Sequence, residues 1–249
     1  GLDFTLDWFD IEMRDQVQDL RTDNVLQDEA NCRIGSTPTG TAVDGNSPTC
    51  TDAVARVVRL ADGGLYGVYV NPINVASETT SGLDLTARSR FDTGIGTISV
   101  TGGYTWVDKH EFQQYTGDVI EDEFAVNSGF YIPKTKASLT VGWTGGPWAV
   151  TVHGQRLGRI ASYDSWAFQD IEPDSGIDPW VKATYLYNAT VGYAFNELSR
   201  LTLTIDNLTD ELPPRDPTHG GYPYYNLSWF DSVGRTYYLQ YTHEFGGGN

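Results

Sequence analysis

The fold is decided by residues 184–207, TYLYNATVGYAFNELSRLTLTIDN. Up to Phe195, large side chains alternate with small or polar ones, and Leu201, Leu203 and Ile205 repeat the alternation against threonines. A period of two is that of a β-strand, so the short polar break between the two runs predicts an antiparallel hairpin. Each arm has about ten residues, with aromatics near its ends and small polar groups on one face, which is typical of strands between lipid and water.

The same alternation recurs along the chain. It is found in residues 2–13, 81–91, 97–106, 136–143, 148–155 and 235–245. Together with the hairpin this predicts eight strands, with a change of phase after Trp8 that suggests a bulge. The connections alternate between short and long, as in outer-membrane barrels, and the short turns at 92–96, 144–147 and 196–200 are expected on the periplasmic side. A smaller hairpin is expected within residues 54–70.

Composition limits the class of protein. The chain has 249 residues, of which 39% are hydrophobic, and no apolar run is long enough for a transmembrane helix. Its formal charge of −17 argues against a nucleic-acid partner. The first residues lack the pattern of a signal peptide, so either a signal was removed or residue 1 is not the natural start. A soluble β-sandwich remains open at this point.

The two cysteines, Cys32 and Cys50, lie in a polar stretch rich in glycine, proline, serine and threonine. A disulfide that closes this loop is the main interpretation, and it would stabilise the fold by roughly 3 kcal/mol in the chain-entropy model. It would also imply an oxidising compartment. Two unpaired thiols are the alternative, and a zinc site is less favoured because no histidine lies nearby in the sequence.

The polar faces of the strands indicate the size of the barrel. They carry mainly threonine, serine, glycine and aspartate, with five longer side chains expected to face the lumen: Arg88, Arg90, Lys136, His153 and Gln155. An eight-stranded barrel is narrow enough to be filled by side chains. This lining suits a wider lumen, so we expect the strands to be part of a larger barrel.

Several segments resemble a known family. They are residues 71–91, 132–158, 201–217 and 225–245, and they are similar to the C-terminal third of TonB-dependent outer-membrane receptors. The most specific parts are SGLDL at 81–85, DNLTD at 206–210 and the last strand with its aromatic end at Phe245. The loop with the two cysteines also resembles a cysteine-bearing loop of a proteobacterial subgroup. The ending GGGN after Phe245 departs from the family pattern, in which the aromatic is the last residue.

The resemblance implies an all-β fold, a transmembrane antiparallel β-barrel of 22 strands in which this chain supplies about eight C-terminal strands. Residues 1–249 would then form one segment of the barrel, with the plug domain and the earlier strands outside this sequence. The implied activity is import of a scarce solute such as an iron chelate, cobalamin or an oligosaccharide, energised by TonB. The implied partners are the rest of the receptor, TonB, outer-membrane lipid and lipopolysaccharide, and the solute. The implied location is the bacterial outer membrane.

Residue patterns for catalysis are not found in the sequence. The histidines at 110, 153, 219 and 243 are scattered, and no serine lies in a nucleophile-elbow motif. We therefore expect no enzyme activity, no metal site and no cofactor.

The long connections carry the candidate ligand-binding residues, which combine aromatic rings with carboxylates. The first set is Tyr163, Trp166, Asp170, Asp174 and Trp180, and the second is Tyr222, Tyr224, Tyr225 and Trp229. Aromatic faces stack on sugar rings or flat chelates, and carboxylates orient hydroxyls or cations. The alternative is that these side chains pack the loops together or lie in the headgroup belt. The acidic run at 118–123 is expected to be solvated loop surface.

Two other functions remain open from the sequence. One is a self-contained small outer-membrane barrel with an adhesion or structural role. The other is a secreted β-domain that binds sugars through its loops.

Overall fold

The computed structural model describes residues 1–20, 22–37, 40–126, 131–162, 176 and 178–245. The elements in chain order are β1 (Leu2–Gln18), α1 (Thr22–Ile34), α2 (Pro48–Arg56), β2 (Val57–Arg59), β3 (Leu65–Val68), β4 (Ile73–Thr93), β5 (Gly96–Gln113), β6 (Glu121–Asp122), β7 (Thr135–Gly145), β8 (Trp148–Leu157), β9 (Ile160–Ala161), β10 (Trp180–Val181), β11 (Thr184–Ala194), β12 (Ser199–Asp206) and β13 (Thr236–His243).

One antiparallel sheet dominates the structure. Its strands follow the order β1, β4, β5, β7, β8, β11, β12 and β13, and the short β6 pairs with β5 beside this path. The eight predicted strands and their short turns are therefore confirmed. Within the described residues β1 and β13 are edges that do not pair with each other. The sheet is thus part of a barrel wall and not a closed eight-stranded barrel.

The register sorts the side chains onto two faces. One row crosses six strands with apolar residues only, in the order Ile98, Trp143, Val150, Val191, Leu203 and Leu239. A row on the other face is polar, in the order Asp3, Arg88, Thr101, Thr140, His153 and Asn188. Strands with one apolar and one polar face are what a barrel needs between lipid and an aqueous lumen.

The bulge expected after Trp8 is not in β1. The pairing of β1 with β4 runs without a shift from Leu2 to Arg14, and the irregularity lies instead between Ser81 and Gly82, where β4 pairs with β5. The Phe9 ring packs so closely on Gly82 that a Cβ atom placed on Gly82 would lie 2.6 Å from the Phe9 Cζ atom. A glycine is needed here, since a side chain would collide with the ring and with the backbone of Trp106.

The connection between β1 and β4 contains two helices that the sequence did not predict. Cys32 of α1 and Cys50 of α2 form a disulfide with a Cα–Cα distance of 5.4 Å, which confirms the main interpretation of the cysteines. Ser47 caps α2 by accepting a hydrogen bond from the Cys50 amide at 3.1 Å. The hairpin expected within residues 54–70 is formed by β2 and β3. We call α1, α2, β2 and β3 the helical unit.

In the part of the chain that is described, no helix has both the length and the apolar character required to cross a membrane.

Candidate functional site

The connection between β12 and β13, residues 207–235, is fixed at both ends by side-chain hydrogen bonds to the backbone. The Asn207 Nδ2 group donates to the Glu211 carbonyl, and the Glu211 amide donates to Asn207 Oδ1, both at 2.8 Å. The Asn207 amide donates to Asn188 Oδ1 at 2.9 Å, and the Arg235 amide donates to Asp210 Oδ1 at 2.8 Å. Asn207 and Asp210 both have positive φ angles, of 51° and 57°. The DNLTD motif therefore forms the turn from which this connection starts.

The same connection packs against the one between β8 and β11. Tyr225 and Phe230 form a buried cluster with Ile160 of β9 and Val181 of β10. Tyr131, Leu157 and Trp229 lie partly buried around it. We call this the loop cluster. Burial of apolar side chains here stabilises one arrangement of the two connections over the strand ends.

Trp229 ties three segments together. Its ring lies 4.6 Å from the Nζ atom of Lys136 in β7, which is a cation–π distance. Its indole N–H donates a hydrogen bond to the carbonyl of Tyr131, in the segment before β7. The β12–β13 connection is thus held on the polar face of the sheet by Lys136 and Tyr131.

A cavity of about 690 Å³ lies between the polar face and the loop cluster. Its wall includes Asp7, Asp84, Thr105, Lys136, Gln155 and Trp229. Asp7 and Asp84 are cross-strand partners, and the Thr105 hydroxyl donates to Asp84 Oδ1 at 2.6 Å. The volume lies within the usual range of small-molecule sites, roughly 300–1,000 Å³.

A second cavity of about 330 Å³ adjoins the first. Gln155, Thr184, Leu186 and Phe230 line both. The wall of the second cavity also includes three carboxylate residues, Asp206, Glu211 and Asp231. We call the two cavities together the lumen groove.

The aromatic candidates fall into different surroundings. Trp180 lies under the Arg159 guanidinium at 4.2 Å, and Tyr224 lies under that of Arg215 at 5.4 Å. Tyr222 is 88% exposed, whereas Tyr225 is only 7% exposed and packs inside the loop cluster. The burial of Tyr225 is thus consistent with the alternative that these aromatic side chains pack the loops together. Four candidates lie outside the described residues, namely Tyr163, Trp166, Asp170 and Asp174.

The residues expected to face the lumen all lie on the polar face of the sheet. They are Arg88, Arg90, Lys136, His153 and Gln155. Of these, Lys136 and Gln155 line the lumen groove. His153 Nδ1 lies 2.8 Å from the Thr140 hydroxyl of the neighbouring strand. Sequence reasoning did not identify Asp7, Asp84 and Thr105 as a cluster, because their approach depends on the register between strands.

The acidic run at 118–123 is not solvated throughout, which corrects one expectation. Glu123 is 2% exposed and lies near His110, whose Nε2 atom is 2.8 Å from Glu78 Oε1. Burial, followed by the charge of Glu78, raises the pKa of Glu123 to about 8. Phe112 and Glu121 pair in the short β5–β6 ladder, which brings the run back against the sheet.

The neighbouring Asp28 of α1 shows a similar effect. Burial, followed by the charges of Glu121 and Asp118, raises the pKa of the Asp28 carboxyl to about 7. The two loops are joined by hydrogen bonds from Thr49 to Asp118 and from Tyr115 to Asp52, both at 2.6 Å. Carboxyls with raised pKa values therefore lie at the contact between the helical unit and the β5–β7 connection.

Comparisons with known proteins agree with this architecture. Residues 1–208 match the family described as TonB dependent receptor-like, beta-barrel. A mutant of the ferric enterobactin receptor PfeA from Pseudomonas aeruginosa is 14% identical, with a TM-score of 0.55, and covers 98% of this chain and 29% of its own. The siderophore receptor PirA from Acinetobacter baumannii is 16% identical, with a TM-score of 0.53, and covers 98% of this chain and 30% of its own. No curated protein matches the chain.

The chain spans about 30% of the length of these solved receptors, and at such identities the likeness concerns the fold. The antiparallel sheet has one apolar and one polar face, and 98% of the chain aligns with a receptor barrel. A sheet of this kind is the wall of an outer-membrane β-barrel. The chain belongs to the TonB-dependent receptor β-barrel family. Its location is the bacterial outer membrane, and the family is one of receptors and transporters, not enzymes.

Proposed function

We propose that residues 1–249 form the C-terminal barrel segment of a receptor that captures a scarce solute with its extracellular loops and imports it into the periplasm with energy from TonB. The solute classes considered are iron chelates, cobalamin and oligosaccharides. The partners in this proposal are the plug domain and earlier barrel strands, TonB, outer-membrane lipid and lipopolysaccharide, and the solute itself.

The observation that carries the proposal is the lumen groove. Two long connections meet in the loop cluster and leave a cavity of about 690 Å³ against the polar face. A solute held there would lie between the polar face of the sheet and the loop cluster, in a concave site of the size that binds small molecules. The open edges at β1 and β13 support the place of further strands in the barrel.

The proteins with similar folds support a receptor role without fixing the solute. PfeA is described as a ferric enterobactin receptor, and PirA is described as a siderophore receptor. An iron chelate is therefore one candidate for this chain. The choice among candidates depends on residues of this chain, because the shared fold alone does not specify a ligand.

The proposal is tested by uptake in cells. A strain with the receptor gene deleted is compared with its parent for uptake of radiolabelled ferric siderophores, cobalamin and oligosaccharides, each with TonB present and with TonB removed. We expect one class of solute to require both the receptor and TonB. If loss of the receptor leaves the uptake of every solute class unchanged, the proposal is contradicted.

A further inference from the structure

We propose that the lumen groove takes an uncharged, hydroxyl-rich solute of the oligosaccharide class and disfavours anionic metal chelates. This inference rests on the proposed function, because it names the class of solute for the same cavity. It depends on the charges, hydrogen-bonding groups and aromatic surface of the groove walls.

The charge of the walls is the first argument. Asp7 and Asp84 face each other across β1 and β4 in the larger cavity, and three more carboxylate residues, Asp206, Glu211 and Asp231, line the smaller one. The formal charge of the whole chain is −17. A multiply charged anion entering this groove meets like charges in a partly enclosed space, which raises its free energy.

The cationic residues of the walls do not offset these carboxylates. In the described lining they are Lys136 and Arg156. The Lys136 ammonium lies over the Trp229 ring. Arg156 pairs with Ala137 and Tyr185 on the apolar face of the sheet, where its guanidinium donates to Thr135 Oγ1 at 2.8 Å and to the Tyr185 hydroxyl at 3.2 Å. Among the described lining residues, recognition of an anionic chelate would therefore depend on Lys136, whose ammonium would have to leave the Trp229 ring.

The polar groups of the larger cavity suit hydroxyls. Asp84 accepts a hydrogen bond from Thr105 on one oxygen, and a carboxylate accepts several bonds over its two oxygens. Ser138 and Gln155 are cross-strand partners that also line the cavity, and their side chains both donate and accept. A sugar hydroxyl likewise donates and accepts, so a wall that mixes these groups matches a row of hydroxyls.

Trp229 supplies the apolar surface. Its partly buried ring lines the larger cavity, and its position is fixed by Lys136 and by the bond to Tyr131. A flat aromatic surface held in place beside hydrogen-bonding groups binds the apolar face of a sugar ring at low entropic cost. The three features together favour a neutral sugar over a charged chelate.

The inference is tested by calorimetric titration of the whole purified receptor in detergent micelles. The probes are maltohexaose, cellohexaose, xylohexaose and mannohexaose, with iron(III) tris(catecholate) as the anionic comparison. Each titration is made at about 50 mM and at about 500 mM NaCl, because salt screens the repulsion of an anion and leaves a neutral ligand unaffected. The variants are Trp229→Ala and Asp84→Asn, and Leu227→Ala is the control because Leu227 is 68% exposed on the same connection and does not line the groove.

We expect at least one hexasaccharide to bind with an affinity that changes less than about twofold with salt. Trp229→Ala should weaken this binding about tenfold, and Leu227→Ala should leave it unchanged. Asp84→Asn should weaken sugar binding and strengthen any binding of the iron complex, because it removes one like charge.

Three results would overturn the inference. They are binding of the iron complex without any hexasaccharide, binding of neither kind of probe, and sugar binding that Trp229→Ala does not change. The cellular uptake experiment separates these failures from failure of the proposed function. If the inference is wrong but a solute still requires the receptor and TonB for uptake, the proposed function stands and only the class of solute changes.

Discussion

The Nζ atom of Lys136 lies 4.6 Å from the centre of the Trp229 ring and fixes the β12–β13 connection to the sheet. Trp229→Ala removes this contact and the hydrogen bond to Tyr131. We expect the local opening free energy of the connection to fall by about 1–2 kcal/mol. Hydrogen exchange of the peptide around residues 224–230 in the whole receptor measures this change. Leu227→Ala, at an exposed position of the same peptide, should exchange like the unchanged protein after correction for the intrinsic rate, and equal protection in both variants would contradict the contact.

The apolar row of the sheet predicts which substitutions lipid does not tolerate. Val150 and Val191 are cross-strand partners in this row. Replacement of either by arginine should cost roughly 2–4 kcal/mol near the bilayer midplane. Thr151→Arg, one residue along on the polar face, should be tolerated. Urea unfolding in phospholipid vesicles compares the three variants, and equal stability would refute the assignment of the faces.

Asp28 predicts a loss of stability as pH rises. Its pKa is raised to about 7, so the protonated carboxyl is favoured in the folded protein. The stabilising effect of the protonated carboxyl is complete below the usual pKa of aspartate, and it is lost as pH rises through about 7. Asp28→Asn removes this titration and should make α1 more stable at pH about 8, by about 1–3 kcal/mol. Hydrogen exchange of α1 at several pH values, corrected for the intrinsic rate, tests the sign. A less stable α1 in the variant would contradict it.

Glu29, the next residue, predicts the opposite behaviour. Its buried carboxylate accepts hydrogen bonds from Arg59 at 2.6 and 2.8 Å and from Arg33, and these partners lower its pKa to about 2. The stabilisation is therefore present above its usual pKa and is lost only as pH falls through about 2. Glu29→Gln should destabilise the helical unit, because it removes the charge that both arginines contact. The loss should be only about 1–3 kcal/mol, since both arginines are partly exposed and water screens their interaction with Glu29.

The same exchange measurement at pH about 8 compares the two neighbouring variants. Glu29→Gln should increase exchange in α1, and Asp28→Asn should decrease it. Changes of the same sign in both variants would show that charge near this helix, and not the particular partners, controls its stability.

Gly82 predicts a local packing requirement. A side chain there would collide with Phe9, whose Cζ atom would lie 2.6 Å from the new Cβ. Gly82→Ala should cost about 1–3 kcal/mol or shift β1, as overpacked sites do. Gly102→Ala is the matched control, because its nearest neighbour, Leu139 Cδ1, lies 3.6 Å away. The fraction of receptor that resists unfolding by detergent at moderate temperature measures both, and equal fractions would contradict the requirement.

The strands could be predicted from the sequence because their signal is local. Each of Leu201, Leu203 and Ile205 indicates its face through its immediate neighbours, and the register of β11 and β12 confirms those faces. A prediction that required information from other strands was less reliable. The change of phase after Trp8 predicts a bulge in β1, whereas the irregularity lies at Gly82, where β4 pairs with β5.

The helices could not be predicted by the same reasoning. In α1 the two buried residues are Val25 and Glu29, so a carboxylate occupies a position where an apolar residue would signal a helix face. It is stable there because Arg59, 30 residues further along the chain, donates to it. The lumen groove could not be predicted from the sequence for the same reason, since its carboxylates and Trp229 approach each other only through strand pairing and loop folding.

The strands differ greatly in length, and this gives the wall an uneven height. At about 3.3 Å per residue, the 21 residues of β4 extend roughly 70 Å, whereas the eight residues of β13 extend roughly 26 Å. The short turns keep the strands level at one end, so the whole difference appears at the other. At the end opposite the short turns, the height of the wall therefore decreases from β4 towards β13, where the connection that carries Trp229 joins the sheet.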